Sequence, residues 1–82
     1  MGDDELKACL DRMTEDDWTL LFNQGYRTYH LVTPYKSSVH RSEKVSDALA
    51  KRIIASPGIV EARKSDKWLA WRHERWMPKP QS

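Results

Sequence analysis

Basic and aromatic side chains near the C-terminus are the residues of this sequence with the clearest chemical potential. Five bases and three tryptophans are interspersed there: Arg63, Lys64, Lys67, Trp68, Trp71, Arg72, Arg75 and Trp76. Lysine and arginine neutralise phosphates, and aromatic rings stack on nucleic-acid bases. Tryptophans in a small domain also form its core, a role that we expect for Trp71. The segment therefore predicts a surface that faces a polyanion, with a solvated surface or a protein-binding face as alternatives.

A second group of bases surrounds the helix that we expect over residues 43–55. Lys44 and Lys51 are seven residues apart, close to two helical turns, and would share one face of that helix. Arg52 would lie at the edge of this face, where its aliphatic stem can pack while the guanidinium reaches water. Arg41 precedes the helix. These four bases and the five C-terminal ones form the predicted partner-binding set.

Residue types that support catalysis or metal binding lack the necessary spacing. The soft-metal ligands are Cys9, His30, His40 and His73, and no two of them have a zinc-type spacing. The three glycines are isolated, so no phosphate-binding loop is present, and no local Ser, His and Asp arrangement resembles a triad. The paired carboxylates at 3–4 and 16–17 are explained by helix capping. We expect a non-enzymatic protein without a metal or a cofactor.

The length of 82 residues suits one small domain, residues 1–82. No apolar run approaches the roughly 18 residues that a transmembrane helix requires, and no secretory signal is visible. Cys9 is the only cysteine, so no internal disulfide can form, which favours a reducing cytoplasm. The sequence predicts a cytoplasmic domain that does not enter a membrane and leaves its oligomeric state open.

The net charge of +2 is distributed unevenly along the chain. Residues 1–24 contain seven acids and two bases, a net charge of −5, and residues 25–82 contain twelve bases and five acids, a net charge of +7. This asymmetry is typical of an acidic segment beside a basic body that faces a polyanion. In the simpler interpretation, the acids cap helix starts and the bases solvate a sheet. Both interpretations stay open.

Hydrophobic periodicity predicts an α+β fold, in which a small antiparallel sheet of three to five strands packs on one main helix after an acidic N-terminal helical segment. The expected elements are a helix over residues 3–13, a strand over 26–35, the main helix over 43–55 with Ser42 as its N-cap, and strands over 59–63 and 68–77.

Residues 14–24 fit two different structures. Thr14 is followed by three acids, which is typical of a helix start, and Trp18 and Phe22 would share a helix face. The alternation of residues 18, 20 and 22 instead predicts a strand that pairs with residues 26–33. We favour the helix. The domain is then divided into an acidic helical extension, a basic strand–helix–hairpin body and a frayed tail, at residues 1–24, 25–77 and 78–82.

The order strand, polar connection, helix, hairpin contains four short sequence blocks: Ala50-Lys51-Arg52-Ile53, Ala55-Ser56, Trp68-Leu69-Ala70 and Arg75-Trp76. Over about residues 26–77, this pattern resembles a family of small phage-encoded anti-CRISPR proteins that inhibit type I CRISPR surveillance complexes. The resemblance implies a curved antiparallel sheet around a single helix. It also implies a location in the cytoplasm of the host bacterium, on the subunits of the complex that line the path of the target DNA.

The resemblance assigns the partner contact, residue by residue, to Lys51 and Arg52. A further family base just after the helix is replaced here by Ser56-Pro57-Gly58, and the acidic residues 1–24 have no counterpart in the family. The implied function is a non-enzymatic inhibitor that binds the surveillance complex, with possible non-specific nucleic-acid contact, and blocks target DNA binding. The alternatives are a small DNA- or RNA-binding phage regulator and a protein-binding accessory domain that uses its acidic helices.

Overall fold

The computed structural model describes residues 2–34 and 36–77, which form two α-helices, five strands and a terminal 3-10 turn. Every pair of neighbouring strands is antiparallel. The sheet order is β3-β2-β1-β5-β4. This architecture confirms the expected α+β fold. The elements are α1 (Gly2–Asp16), β1 (Thr19–Asn23), β2 (Thr28–Val32), β3 (Ser42–Val45), α2 (Asp47–Ile54), β4 (Ile59–Lys64), β5 (Trp68–His73) and the turn Glu74–Trp76.

Both helices pack on the same face of the sheet, and the core lies between these two layers. Met13 of α1 and Ile53 of α2 are fully buried against Leu20 of β1, which is paired with Leu31 of β2. Burial of such a side chain contributes about 1.5–3 kcal/mol to the free energy of unfolding. The core therefore joins the helices to one sheet face, and none of the described helices covers the opposite face. The buried cluster is Met13, Leu20, Leu31, Val45, Ala50, Ile53 and Ile59.

Residues 19–23 form the middle strand of the sheet, so the preferred helix over residues 14–24 is wrong and the hairpin alternative is correct. Helix α1 continues through Asp16 and ends where Asp17 adopts a left-handed φ of 58°. The turn that follows β1 is organised by Asn23, whose Oδ1 accepts hydrogen bonds from the backbone N–H groups of Gly25 and Tyr26 at 2.9 and 3.1 Å. The acidic segment therefore supplies the central strand as well as a helix.

The main helix begins at Asp47, four residues later than predicted, because residues 42–45 pair with β2 as an edge strand. Its N-cap is Ser46, whose Oγ accepts a hydrogen bond from the backbone N–H of Leu49 at 3.2 Å, and not Ser42. The expectation that Lys44 and Lys51 share one helix face is therefore wrong, since Lys44 lies on β3.

The C-terminal hairpin forms close to its predicted limits, with β4 and β5 joined by a turn over residues 65–67. Trp71 faces the helix layer and packs against the core, as expected. The strand predicted to reach Met77 ends at His73, where the chain enters the 3-10 turn, so Arg75 is not a strand residue. The predicted frayed tail, residues 78–82, lies outside the described residues.

Candidate functional site

The sheet face opposite the helices, here called the open face, carries a row of side chains that crosses all five strands. The strand register pairs Leu21 with His30 and with Ala70, and it extends the row outward to Lys44 on one edge and Arg63 on the other. Residues of one row in a sheet point to the same side. The row therefore has a cation at each end, an imidazole beside one cation, and an apolar centre.

A β-bulge in β4 determines where Arg63 points. Glu61 pairs with Trp71 on the helix side of the sheet, whereas Arg63 pairs with Ala70, and the register shifts between Glu61 and Arg63. Without this shift, residues 61 and 63 would face the same side, because side chains alternate along a strand. The extra residue, Ala62, therefore turns Arg63 onto the open face.

Both strand carboxylates lie on the helix side of the sheet, and three of the four strand bases lie on the open face; the fourth, Lys64, ends β4 in the row of Leu69 on the helix side. Glu43 and Glu61 lie in the rows of Leu31 and Trp71 on the helix side, where Arg12 of α1 forms an ion pair with Glu43. Lys44 and Arg63 lie on the open face, as does Arg72, which is paired across the hairpin with Val60. The open face is consequently the cationic face of the sheet.

A groove of about 860 Å³ follows the open face. Its apolar floor includes Leu21, Val32 and Ala70, and its lining also includes Trp76 near the end of the chain. The β2–β3 connection forms one wall, which is closed by a hydrogen bond from the backbone N–H of residue 33 to the carbonyl of residue 41 at 3.1 Å. The charged and ionisable side chains of the lining are Lys36, His40, Arg63, Arg72 and Asp17.

Arg72 is held by an ion pair inside this groove. Its Nη2 lies 2.8 Å from each carboxylate oxygen of Asp17, and its Nε lies 3.1 Å from Oδ1. The two side chains are 29% and 21% exposed, so the pair is partly desolvated. Arg72 is therefore positioned by the protein itself, while Lys36 and Arg63 border the same groove.

Two other predicted bases, Arg41 and Arg75, lie away from the middle of the open face. Arg41 lines a shallower depression of about 550 Å³ beside Trp18 and the β2–β3 connection. Arg75 lies 5.2 Å from the ring centre of Trp76, and its Nη1 donates a hydrogen bond to the carbonyl of Thr14 at 3.2 Å. The Trp76 Nε1 donates to the same carbonyl at 3.0 Å. Arg75 and Trp76 thus attach the 3-10 turn to the end of α1.

The predicted partner-binding set is divided between two sides of the molecule. Lys51 and Arg52 are exposed in the last turn of α2, in the helix layer. Lys64 and Lys67 are exposed at the β4–β5 turn. Lys44, Arg63 and Arg72 lie on the open face. One contiguous surface for all nine bases is therefore not present.

Two residues of the groove, Lys36 and His40, were not selected from the sequence because they belong to a polar connection without periodicity. Their position depends on β3, which returns the chain along β2 and brings the connection over the open face. Residues 42–45 contain one apolar residue and show no apolar–polar alternation, so no local signal marks this strand. Recognising that strand would have placed the connection at the sheet end.

Cys9 is half-buried in the helix layer, where it packs against the core. Burial raises the pKa of its thiol, the nearby carboxylates of Glu43 and Glu5 raise it further, and Arg12 partly opposes them. In the described part of the chain, no cluster of three His, Cys, Asp or Glu side chains is arranged to hold a metal ion. None of the described helices has the length and apolar composition needed to cross a bilayer.

Comparisons of this chain with family models, with curated proteins and with solved structures give no match.

Proposed function

We propose that the protein is a non-enzymatic nucleic-acid-binding module and that its open face contacts the phosphate backbone. The observation that carries this proposal is the uneven distribution of charge across the sheet: both strand carboxylates, Glu43 and Glu61, lie on the helix side with Lys64, whereas Lys44, Arg63 and Arg72 lie on the open side. Cationic side chains bind polyanions by neutralising phosphates and releasing counterions. The net charge of +7 over residues 25–82 supports the same partner.

The dimensions of the open face suit a nucleic-acid backbone. Lys44 and Arg63 are separated by four strand spacings, which corresponds to about 19 Å between their backbones. A strand of nucleic acid that follows the transverse row would have several phosphates between these two edges. The groove floor of Leu21, Val32 and Ala70 would meet the less polar sugar and base surfaces.

The test compares two double variants with the same loss of charge. Lys44→Gln with Arg63→Gln removes the cations at both ends of the row, while Lys7→Gln with Lys51→Gln removes two exposed cations from the helices. Binding of a labelled DNA duplex is measured over a range of salt concentrations. The first variant is expected to weaken binding and to reduce the slope of log K against log salt by about 1.8, and the second to leave that slope unchanged. Equal effects of the two variants would overturn the proposal.

A second candidate is the non-enzymatic anti-CRISPR inhibitor that blocks target DNA binding by a type I CRISPR surveillance complex. It is favoured by the exposure of Lys51 and Arg52 in the last turn of α2, on the opposite side of the molecule from the groove. Two adjacent basic side chains of this kind suit contact with an acidic protein patch or a bound RNA. The additional helix α1 and the sequence at residues 56–58 depart from the family pattern.

The inhibitor candidate is tested by capture of purified type I surveillance complexes on the tagged protein, with loading of target DNA as the readout. Capture with blocked loading would support it, and Lys51→Glu with Arg52→Glu should then abolish capture. Lys44→Gln with Arg63→Gln serves as the control on the other face. Retained capture and inhibition in the Lys51→Glu, Arg52→Glu variant would contradict this candidate.

The alternative of a protein-binding accessory domain cannot be tested by deleting residues 1–24. This deletion would remove β1, the middle strand of the sheet, and Met13 of the core. Loss of binding by the truncated chain would therefore report unfolding. Neutralisation of exposed acids on α1, such as Glu5, Asp11 and Glu15, leaves the core intact and tests the acidic surface directly.

A further inference from the structure

Two neighbouring turns at one end of the sheet expose aromatic side chains. Trp68 begins β5 on the open face, where it pairs with Asn23, and it is 39% exposed. Tyr26 lies in the β1–β2 turn and is 82% exposed. Among the described large hydrophobic side chains, these two and Val39 are the exposed ones. Trp68 at the start of β5 and Tyr26 in the β1–β2 turn thus place two exposed aromatic side chains at the same end of the sheet, and exposed apolar surface is where a partner can bind.

Hydrogen bonds join the two turns into one rigid unit. The backbone N–H of Gln24 donates to the carbonyl of Lys67 at 2.9 Å, and the Gln24 Nε2 donates to the carbonyl of Ser65, also at 2.9 Å. The Ser65 Oγ in turn accepts from the backbone N–H of Trp68 at 3.1 Å. The conformation of Arg27, with φ 55°, closes the β1–β2 turn. The aromatic residues are therefore presented by backbone that is already ordered before a partner binds.

The charges around these aromatic residues are mostly positive. Arg27 and Lys67 are exposed on the two turns, Lys64 is exposed at the end of β4, and Asp66 is the acidic residue of the β4–β5 turn. Trp68 also shares the open face with the transverse row and lies two residues from Ala70, the partner of Arg63 in that row. Stacking surfaces and phosphate-binding cations are thus continuous at this end of the sheet.

The remaining tryptophans are engaged within the protein, which distinguishes Trp68 from them. Trp71 packs in the core with its ring centre 6.2 Å from that of Tyr29. Trp18 lies beneath the guanidinium of Arg12 at 5.0 Å. Trp76 donates its indole hydrogen bond to the end of α1. Trp68 is the most exposed of the four tryptophans.

We infer that Trp68 and Tyr26 stack on unpaired bases, so this protein binds single-stranded nucleic acid more tightly than a duplex with the same number of phosphates. This inference rests on the proposed function and specifies its substrate class. The bases of a duplex are stacked on each other, and their faces are not available to an aromatic side chain. A single strand exposes these faces, and each base that stacks on an aromatic side chain adds affinity without sequence preference. The open face then binds the backbone while the two turns hold bases.

The test measures binding of a labelled oligothymidylate of about 12 nucleotides, a length within the range of small single-strand sites. A hairpin duplex with the same number of phosphates is the parallel probe. Trp68→Ala and Tyr26→Ala should each weaken binding of the oligothymidylate by about 5- to 150-fold, and binding of the duplex should not change. Trp68→Phe retains a ring and should recover most of the affinity. Thermal unfolding verifies that each variant is folded.

Different results contradict the inference and the function on which it rests. If Trp68→Ala and Tyr26→Ala bind oligothymidylate as tightly as the wild type does, the stacking role is overturned. An equal loss of affinity for the duplex would overturn it as well. In either case, a reduced salt slope in the Lys44→Gln, Arg63→Gln variant would still support contact between the open face and the phosphate backbone. If the wild-type protein binds neither probe at low salt, the proposed function and this inference both fail, and a protein partner would be the occupant of the aromatic site.

Discussion

Asp17 and Arg72 are 55 residues apart in the chain and form a bidentate ion pair at the end of the groove. Asp17 has a left-handed conformation, with φ 58°, at the point where α1 turns into β1. Arg72 projects from β5 onto the open face. The pair therefore ties the helix-to-strand connection to the sheet and places a carboxylate in a surface that otherwise carries cations. This arrangement stabilises the fold and opposes the binding of a polyanion.

Asp17→Asn separates these two effects. Asparagine tolerates the left-handed conformation, so the variant removes the charge without new backbone strain. Loss of the charged hydrogen bonds is expected to lower the free energy of unfolding by about 1–2 kcal/mol. The same change leaves Arg72 available to a phosphate. The plot of log K for DNA against log salt should therefore become steeper by about 0.9. Urea unfolding and salt-dependent anisotropy measure the two effects.

The matched control is Asp16→Asn, because Asp16 is exposed and carries the same charge one residue earlier. It should change stability and salt dependence much less than Asp17→Asn does. If Asp17→Asn weakens DNA binding while the protein stays folded, then Arg72 acts only through its ion pair and is not a phosphate ligand.

Ser46 and Ser42 provide a second prediction, because both are serines that precede acidic residues and only Ser46 caps a helix. Ser46→Ala removes the hydrogen bond to the Leu49 N–H and should lower the free energy of unfolding by about 1 kcal/mol. Ser42→Ala alters an exposed position on edge strand β3 and should have little effect. Urea unfolding of both variants tests this order. A larger cost for Ser42→Ala would mean that the helix begins earlier than Asp47.

The fold class could be predicted from the sequence because it depends on periodicity and composition, whereas several boundaries depend on pairing between distant strands. Thr14 and Ser42 both look like helix caps, since each precedes acidic residues. Residues 19–23 and 42–45 nevertheless form strands, because each pairs with the aromatic and β-branched strand β2. Local capping signals are worth about 1 kcal/mol, and the burial of Leu20 and Val45 against the helices outweighs them.

The candidate site was only partly predictable, for a related reason. The bases Arg63 and Arg72 were recognised by type, but their common face depends on the bulge at Ala62. Strict alternation from Glu61 would have placed Arg63 on the helix side. A bulge leaves no reliable mark on a single sequence, since any small residue can occupy it. Lys36 and His40 were missed because only the position of β3 brings their connection to the groove.

Gly58 links α2 to β4 with a φ of 86°, a conformation that residues with a Cβ rarely adopt. A Cβ at this position would lie 2.8 Å from Nε2 of His73. The His73 Nδ1 accepts a hydrogen bond from the backbone N–H of Arg75, so the ring is not free to move away without loss. Gly58→Ala should therefore lower the free energy of unfolding by more than the roughly 1–2 kcal/mol that the left-handed conformation alone costs.

A double-mutant cycle with His73→Ala separates the contribution of the ring from that of the backbone. In the His73→Ala background, Gly58→Ala should cost only the backbone contribution, because the imidazole is absent. Urea unfolding of the four proteins gives the coupling free energy. A cost that is the same in both backgrounds would show that the imidazole moves aside without penalty.

Cys9 makes stability depend on pH in the alkaline range. Burial raises the pKa of its thiol, with Glu43 and Glu5 adding to the rise and Arg12 opposing it. The folded protein therefore binds the thiol proton more tightly than the unfolded chain does. The stabilisation associated with this proton is complete below the unfolded-state pKa and is lost as the pH rises through the higher folded-state pKa.

Cys9→Ala tests this linkage, since alanine does not titrate and other alkaline groups are common to both proteins. At neutral pH the wild type should be the more stable of the two, because its thiol packs against the core. The difference should shrink as the pH is raised from about 7 to about 10, across the range in which a thiol ionises. Urea unfolding at both values measures it. An unchanged difference would mean that the thiolate is accommodated next to Arg12 as easily in the folded protein as in the unfolded chain.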